Sequence, residues 1–121
     1  MSGGAELGHI ILPVADLDAA LGFCEQALGL PLRFRDGTRY AAFDGGRGTL
    51  ALAGPDEQPV AGTIAIGLKV DDLDAVERRV REAGATIVGE LTESAHERRL
   101  TFLDPDGNVF VAYQPIALVA L

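Results

Sequence analysis

The sequence lacks most of the residues that mark a secreted, metal-rich or membrane protein. It has one cysteine, Cys24, two histidines and no tryptophan among 121 residues. A single cysteine excludes an internal disulfide. The N-terminus has neither the basic start nor the apolar run of a signal peptide. No apolar segment is close to the length of about 20 residues that a membrane-spanning helix needs. We therefore expect a cytoplasmic protein with no membrane partner.

Positive charge is also scarce. The formal net charge is −8, and the ten basic residues are scattered along the chain rather than grouped on one helix. Such a surface repels phosphate backbones, so nucleic acid is excluded as a partner, and a neutral or cationic small ligand is easier to accept. The hydrophobic fraction of 48% is sufficient for one compact domain spanning residues 1–121, or for two half-size modules that share a core.

A repeat is the most informative feature that is present. VADLDA at 14–19 returns as VDDLDA at 70–75, each time after an apolar run. Asp16 and Asp72 are typical N-cap residues, and the residues after them have helical spacing. A repeat of this length predicts one small unit used twice.

Each copy has the pattern of a strand, a helix and three further strands. The helices place apolar residues on one face, namely Leu17, Ala20, Leu21, Cys24 and Leu28 in the first and Leu73, Val76, Val80 and Ala83 in the second. Strand-type segments follow at 32–35, 39–43 and 49–53, and again at 86–88, 98–103 and 109–113. The predicted modules span about 7–54 and 63–114, with a linker at 55–62 and an apolar tail at 115–121.

Three short motifs give this repeat a family resemblance. Gly8-His9-Ile10, Ala27-Leu28-Gly29-Leu30 and the turn Asp104-Pro105-Asp106-Gly107-Asn108 resemble the vicinal oxygen chelate superfamily. That superfamily includes glyoxalase I, bleomycin-resistance proteins, extradiol dioxygenases and methylmalonyl-CoA epimerase. The resemblance implies an α+β fold in which tandem βαβββ modules form a half-open mixed β-barrel around a cleft, with the helices on the convex face.

The resemblance also implies where a metal would bind. Enzymes of the family hold a divalent metal with side chains from the first and last strands of each module, which here correspond to His9, Ala51, Ala65 and Val111. Only His9 offers a donor atom, and a metal site needs three or four. We therefore expect no metal and no cofactor. A larger error in the alignment would instead recruit side chains of a stretch otherwise interpreted as a solvated acidic loop, namely Glu90, Glu93, His96 and Glu97.

Strand alternation predicts a cleft lined by small apolar residues and a few polar ones. The predicted ligand-binding residues are His9, Ile11, Ala51, Ala65, Gly67, Lys69, Val111 and Tyr113. His9 is either a ligand contact or a partly buried histidine bonded to a carbonyl, and Tyr113 is either a ligand contact or a packing residue at the rim. Arg39, Arg98 and Arg99 are either solvated or available to an acidic substrate.

Two functions remain open at this point. The favoured one is a metal-free protein of the bleomycin-resistance type, which confers antibiotic resistance by sequestering a bulky hydrophobic or aromatic compound. The alternative is a glyoxalase-like lyase, isomerase, epimerase or dioxygenase with an unorthodox metal site, or with His9 as general base. The resemblance also implies a homodimer, in which the modules either stay within one chain or are exchanged between the subunits, and we expect Leu118 and Val119 of the tail to seal that contact.

Overall fold

The computed structural model describes residues 4–116 and confirms the predicted order of elements. The first copy contains β1 (Glu6–Pro13), α1 (Leu17–Gly22), β2 (Leu32–Asp36), β3 (Tyr40–Asp44) and β4 (Thr49–Ala53). The second contains β5 (Ala65–Lys69), α2 (Leu73–Glu82), β6 (Thr86–Glu93), β7 (Glu97–Leu103) and β8 (Val109–Pro115). The fold is therefore α+β with the βαβββ order used twice. Within residues 4–116, no helix has the length and apolar character needed to span a membrane.

Contacts divide the chain into two compact units. One is Gly8–Ile66, and the other consists of the described residues from Gly67 onward together with those before Gly8. The strand order is β2-β3-β4-β1 in the first copy and β5-β8-β7-β6 in the second. β1 pairs with β4 in parallel, whereas β2·β3, β3·β4, β6·β7 and β7·β8 are antiparallel. In each copy the first and last strands are therefore neighbours.

Both helices begin as the repeat predicts. The carboxylate of Asp16 accepts a hydrogen bond from the Ala19 amide at 3.2 Å, and that of Asp72 accepts one from Ala75 at 3.1 Å. Each bond satisfies a backbone N–H that has no partner within the helix. The two N-cap predictions are therefore confirmed.

The ends of the central strands also repeat. The amide of Val14 donates to the carbonyl of Ala53 at 3.0 Å, and the amide of Val70 donates to the carbonyl of Tyr113 at 2.9 Å. Ala53 and Tyr113 therefore occupy the same place in the two copies. This register agrees with the alignment of the copies used to locate the metal-ligand positions.

The first helix departs from the prediction at its C-terminal end. Residues Phe23–Ala27 form a π-helical segment, in which the Leu28 amide bonds to the Phe23 carbonyl at 3.2 Å. The wider turn rotates Leu28 away from the apolar stripe, and Leu28 is 54% exposed. The prediction that Leu28 lies on the buried face is wrong. Leu30 packs against the core in its place.

Each core contains one alanine paired with one leucine, but the strand that carries the leucine differs between the two modules. Under α1, Ala41 of β3 pairs with Leu52 of β4. Under α2, Leu100 of β7 pairs with Ala112 of β8. All four residues are at most 1% exposed. Since β3 corresponds to β7 and β4 to β8, the large and the small residue have exchanged strands while their combined volume is unchanged.

Two segments contain more regular secondary structure than the sequence predicted. β6 continues to Glu93 rather than ending at Val88, because a register step between Val88 and Thr92 lets pairing with β7 resume. Glu90 therefore lies in a strand and not in an acidic loop. Gly89 has a φ of 72° within this step, a value that glycine adopts without strain.

The predicted linker contains a short 3₁₀ turn at Pro55–Glu57. The Gln58 side chain then donates to the carbonyls of Val14 and Ala53, at 3.3 and 3.1 Å, and accepts from the Gly62 amide at 2.8 Å. The start of the segment is therefore bonded to the first module.

Candidate functional site

In the first module, α1 covers one face of the sheet and leaves the opposite face for function. Ala41, Phe43 and Leu52 pack against α1, and Arg35 forms an ion pair with Asp18 on that helix. Because side chains alternate along a strand, the residues between them point to the face without a helix. We call this surface the open face of module one.

One row of side chains across this open face is polar. Strand register places His9 opposite Thr49, and Thr49 opposite Asp44. Arg33 reaches the same row, with its guanidinium 3.4 Å from Thr49 Oγ1 and 3.5 Å from an Asp44 carboxylate oxygen. His9, Thr49 and Asp44 are each half-buried. The row can orient a polar group of a ligand.

The next row is apolar and has aromatic side chains at its outer end. Phe34 lies opposite Ala42, Ala42 opposite Ala51, and Ala51 opposite Ile11. Ile11, Ala42 and Ala51 are at most 5% exposed, whereas Phe34 is 53% exposed. The predicted ligand residues Ile11 and Ala51 therefore form a covered floor, and the accessible apolar surface of the row is on Phe34.

The second module has a corresponding open face with more polar side chains. Leu100 and Ala112 pack with α2, so their neighbours Thr101 and Val111, which pair with each other, point away from the helix. Val111 is 3% exposed. Of the other predicted residues, Ala65 and Gly67 are buried and Lys69 is exposed.

Tyr113 is the central polar group of this second face. It pairs with Arg99, whose guanidinium lies 3.6 Å from the Glu97 carboxylate. Burial raises the pKa of the Tyr113 hydroxyl, and the negative charges of Glu97 and Glu6 add to the rise. The phenol therefore stays neutral at physiological pH and retains a proton that it can donate in a hydrogen bond.

A hollow of about 430 Å³ lies elsewhere on the first module, beside the start of α1. Residues 15–18, 38–39 and 54–56 line it, and they include Arg39 but none of the eight predicted ligand-binding residues. Three of its charged groups have structural partners: Asp16 caps the helix, Asp18 pairs with Arg35, and Arg39 pairs with Asp36 and Glu57. We assign this hollow to the fold rather than to the site.

The sequence profile of the Glyoxalase/Bleomycin resistance protein/Dioxygenase superfamily matches residues 6–112. The chain belongs to this superfamily. A relative from Mycolicibacterium smegmatis (strain ATCC 700084 / mc(2)155), an uncharacterized protein, is 40% identical over 111 residues, which is 92% of this chain and 95% of the relative.

Solved structures of the superfamily have the same fold. A member from Vibrio splendidus 12B01 matches with a TM-score of 0.74 at 18% identity, over 93% of this chain and 100% of the other. A methylmalonyl-CoA epimerase from Mycobacterium tuberculosis matches with a TM-score of 0.69 at 25% identity, over 92% of this chain and 88% of the other. The resemblance inferred from the sequence motifs is therefore confirmed at the level of family and fold.

The residues at the superfamily's metal-ligand positions do not fit a metal. His9 provides a nitrogen, but Ala51 and Ala65 are 0% exposed and Val111 is 3% exposed, and none of the three has a donor atom in its side chain. Within residues 4–116, no three His, Cys, Asp or Glu side chains come together in a way that would hold a metal ion.

Other candidate residues have structural roles. Arg98 pairs with Asp74 on α2 at 2.9 Å, which places it on the helix side and away from the open face. Asp104 accepts hydrogen bonds from the amides of Asp106 and Asn108 and from the Asn108 side chain, each at 2.9 Å. These bonds lower the pKa of the Asp104 carboxyl, with the Asn108 side chain contributing most. These hydrogen bonds give the Asp104–Asn108 turn a structural role.

Cys24 is 4% exposed in the core under α1, and burial raises the pKa of its thiol. It is therefore a poor nucleophile.

Sequence reasoning missed the polar and aromatic residues that β2 and β3 contribute to the open face. Arg33 and Phe34 are consecutive, yet both lie on this face, because one extra residue interrupts the pairing of β2 with β3 between Leu32 and Phe34. Simple alternation cannot predict such a bulge. The available signal was the presence of Phe34 and Tyr40 in two consecutive predicted strands, in a chain with only 6% aromatic residues.

Proposed function

We propose that this protein is a metal-free, small-molecule-binding member of the superfamily, of the bleomycin-resistance type. It sequesters a bulky hydrophobic or aromatic compound, and its biological role is antibiotic resistance in the cytoplasm. The observation that carries the proposal is the replacement of three of the four expected metal ligands by apolar, buried residues: Ala51, Ala65 and Val111.

The proposed binding surface uses the open faces of the modules. Accessible or half-buried polar groups orient the ligand, and the small buried residues form the apolar surface beneath it, as in most ligand pockets. On the first module the orienting group is His9 and the apolar residues are Ile11 and Ala51. On the strands of the second copy the orienting groups are Lys69 and Tyr113, and the small or apolar residues are Ala65, Gly67 and Val111.

Metal content tests the first half of the proposal. Tag-free protein is analysed by elemental mass spectrometry as purified, and again after exposure to zinc, manganese, nickel or iron(II) followed by desalting. We expect metal far below one equivalent in every sample. About one equivalent that survives desalting would contradict the proposal and would make an enzyme with an unorthodox metal site the leading explanation. A His9→Ala variant serves as a matched control, since loss of that metal would assign it to His9.

A second candidate function is a glyoxalase-like enzyme in which His9 is the general base. It is favoured by the polar row that holds His9, Thr49 and Asp44 on one face, and by the 25% identity to a protein named methylmalonyl-CoA epimerase.

Deuterium exchange tests this alternative directly. Methylmalonyl-CoA is incubated in D₂O with wild-type protein or with His9→Gln, and the substrate is analysed by mass spectrometry. The binding proposal predicts no protein-dependent incorporation of deuterium. Incorporation by the wild type that His9→Gln abolishes would replace that proposal by an enzymatic one.

We further propose a homodimer, as expected for a superfamily member of this length. The part of the tail predicted to seal it, including Leu118 and Val119, lies outside the described residues. Light scattering behind size exclusion tests the proposal, with a mass of about twice 12.7 kDa as the expected result.

A further inference from the structure

The open face of module one carries an aromatic pair that the family resemblance does not assign to a ligand. The rings of Phe34 and Tyr40 are stacked, with centroids 5.8 Å apart and an interplanar angle of 29°. Tyr40 adjoins Ala41, which faces α1, so strand alternation places the Tyr40 ring on the open face. The bulge in β2 places Phe34 there as well. The two rings therefore share the face that holds His9.

The exposure of this row is concentrated on one side chain. Phe34 is 53% exposed, whereas Ala42, opposite it on β3, and Ala51 and Ile11, further along the row on β4 and β1, are at most 5% exposed. The small residues form a low surface next to the ring, and Tyr40 supports the ring from the neighbouring strand. A flat molecule can therefore lie on the exposed half of Phe34 without steric conflict from large neighbours.

The size of the patch favours a small molecule over a protein partner. A stable protein interface buries about 800 Å² on each partner. A phenylalanine side chain can bury at most about 150–250 Å², and roughly half of Phe34 is already covered. The neighbouring alanines add almost nothing, because they are covered already. An aromatic ring of a ligand matches the available area.

The charges around the patch are paired with each other. Arg33 lies 3.5 Å from Asp44, and Asp36, at the end of β2, lies 3.5 Å from Arg39. These two pairs balance positive with negative charge next to the ring, so a ligand does not need a charged group to bind there.

We propose that Phe34, supported by Tyr40, is a stacking subsite for a planar, uncharged aromatic ring. The inference rests on the proposed function and deepens it, since it names the class of compound and the residue that selects it. Because of offset stacking, a flat π-system binds more tightly than a saturated ring with the same carbon skeleton. Phe34 is therefore the residue that gives the protein its preference for aromatic ligands.

Two matched probes separate stacking from general hydrophobic binding. 1-Naphthol and its saturated analogue decahydro-1-naphthol have the same carbon skeleton, and only the first has π-systems. Isothermal titration calorimetry measures their affinity for wild-type protein, for Phe34→Leu and for Phe23→Leu. Leucine keeps apolar area without a ring, and Phe23, which is 59% exposed in the helical segment after α1, is a control phenylalanine outside the open face.

We expect wild-type protein to prefer 1-naphthol, and Phe34→Leu to weaken 1-naphthol binding by about three- to tenfold while leaving decahydro-1-naphthol unchanged. Phe23→Leu should bind both compounds like the wild type. Equal binding of both compounds, unaffected by Phe34→Leu, would overturn the stacking subsite and leave the binding function in place. Absence of binding of either compound to the wild type would overturn the binding function and the subsite together.

Discussion

The two modules share a backbone but differ in the side chains of their open faces. Module one has Phe34, Ala42 and Ala51 in the row where module two has Val88, Thr101 and Val111. In the next row, Tyr40 and Ala53 of module one correspond to Arg99 and Tyr113 of module two. In these two rows, module one therefore has aromatic and small apolar side chains, whereas module two has hydrogen-bonding groups at Thr101, Arg99 and Tyr113.

The exposed large hydrophobic residues follow the same division. Ile10, Phe23, Leu28, Leu32, Phe34 and Ile64 belong to the unit Gly8–Ile66, and Leu7 is the remaining one among the described residues. Counted from the shared N-cap aspartates, Phe23 corresponds to Arg79, and counted back from the positive-φ glycines Gly29 and Gly84, Leu28 corresponds to Ala83. The two copies share their helix caps and their core volume. They differ in the side chains of the open face and of the outer surface of the helices.

The largest predicted effect concerns the exchanged core residues. Leu52→Ala and Leu100→Ala should each lower the free energy of unfolding by about 2–5 kcal/mol, because each removes a fully buried side chain. Urea unfolding followed by circular dichroism measures the loss.

A double variant sharpens the comparison of the two cores. Ala41→Leu combined with Leu52→Ala gives module one the order of sizes that module two has. We expect it to recover more than half of the stability lost in Leu52→Ala, since total core volume is restored. A double variant no more stable than Leu52→Ala would show that the two cores are not interchangeable.

The helix caps provide an intermediate effect that should be equal in the two modules. Asp16→Ala and Asp72→Ala each remove one acceptor for a helix N–H, at 3.2 and 3.1 Å. Each should cost about 1 kcal/mol in urea unfolding, and Asp→Asn at either position should cost much less. If the two alanine variants lose very different amounts of unfolding free energy, the two helix starts are not equivalent.

The smallest effect is a dependence on pH that belongs to module two. Arg98 lowers the pKa of the Asp74 carboxyl below its ordinary value, chiefly through a hydrogen bond. A carboxyl whose pKa is lowered in the folded state stabilises the protein above its ordinary pKa, and this stabilisation is lost as the pH falls through the lowered value. Asp74→Asn should therefore reduce Tm slightly at pH 7, and the difference from wild type should shrink and then vanish as the pH falls below 3.8, the ordinary pKa of an aspartate carboxyl.

Asp18→Asn is the matched variant in module one. Asp18 forms an ion pair with Arg35 of β2, whereas Asp74 forms one with Arg98 of β7. A Tm difference for Asp74→Asn that stays constant from pH 7 to pH 2 would assign its effect to something other than the carboxylate charge.

Features that repeat or alternate were predictable from the sequence. The caps at Asp16 and Asp72 follow from the repeat, and the faces of β4, β7 and β8 follow from a period of two that core packing enforces. The alignment of the two copies also predicts, from the sequence alone, which residues occupy the metal-ligand positions of the superfamily.

Local changes of period were not predictable. The π-helical segment Phe23–Ala27, the step near Gly89 and the bulge before Phe34 each shift side chains relative to the regular pattern. Only Gly89 has a residue type that suggests an irregularity. The other two depend on packing against distant strands, so Leu28 was misplaced and Phe34 was not identified as part of the open face.

The bulge in β2 bears on how sequences of this kind diverge. Leu32 and Phe34 pair with the consecutive residues Phe43 and Ala42, so Arg33 is an extra residue on an edge strand with a single neighbour. A deletion of the Arg33 codon would leave Phe34 and Arg35 on their present faces and would remove one positive charge beside His9. Alignments of orthologous genes should therefore show length variation at this codon, and insertions or deletions elsewhere in β2–β4 should be rare.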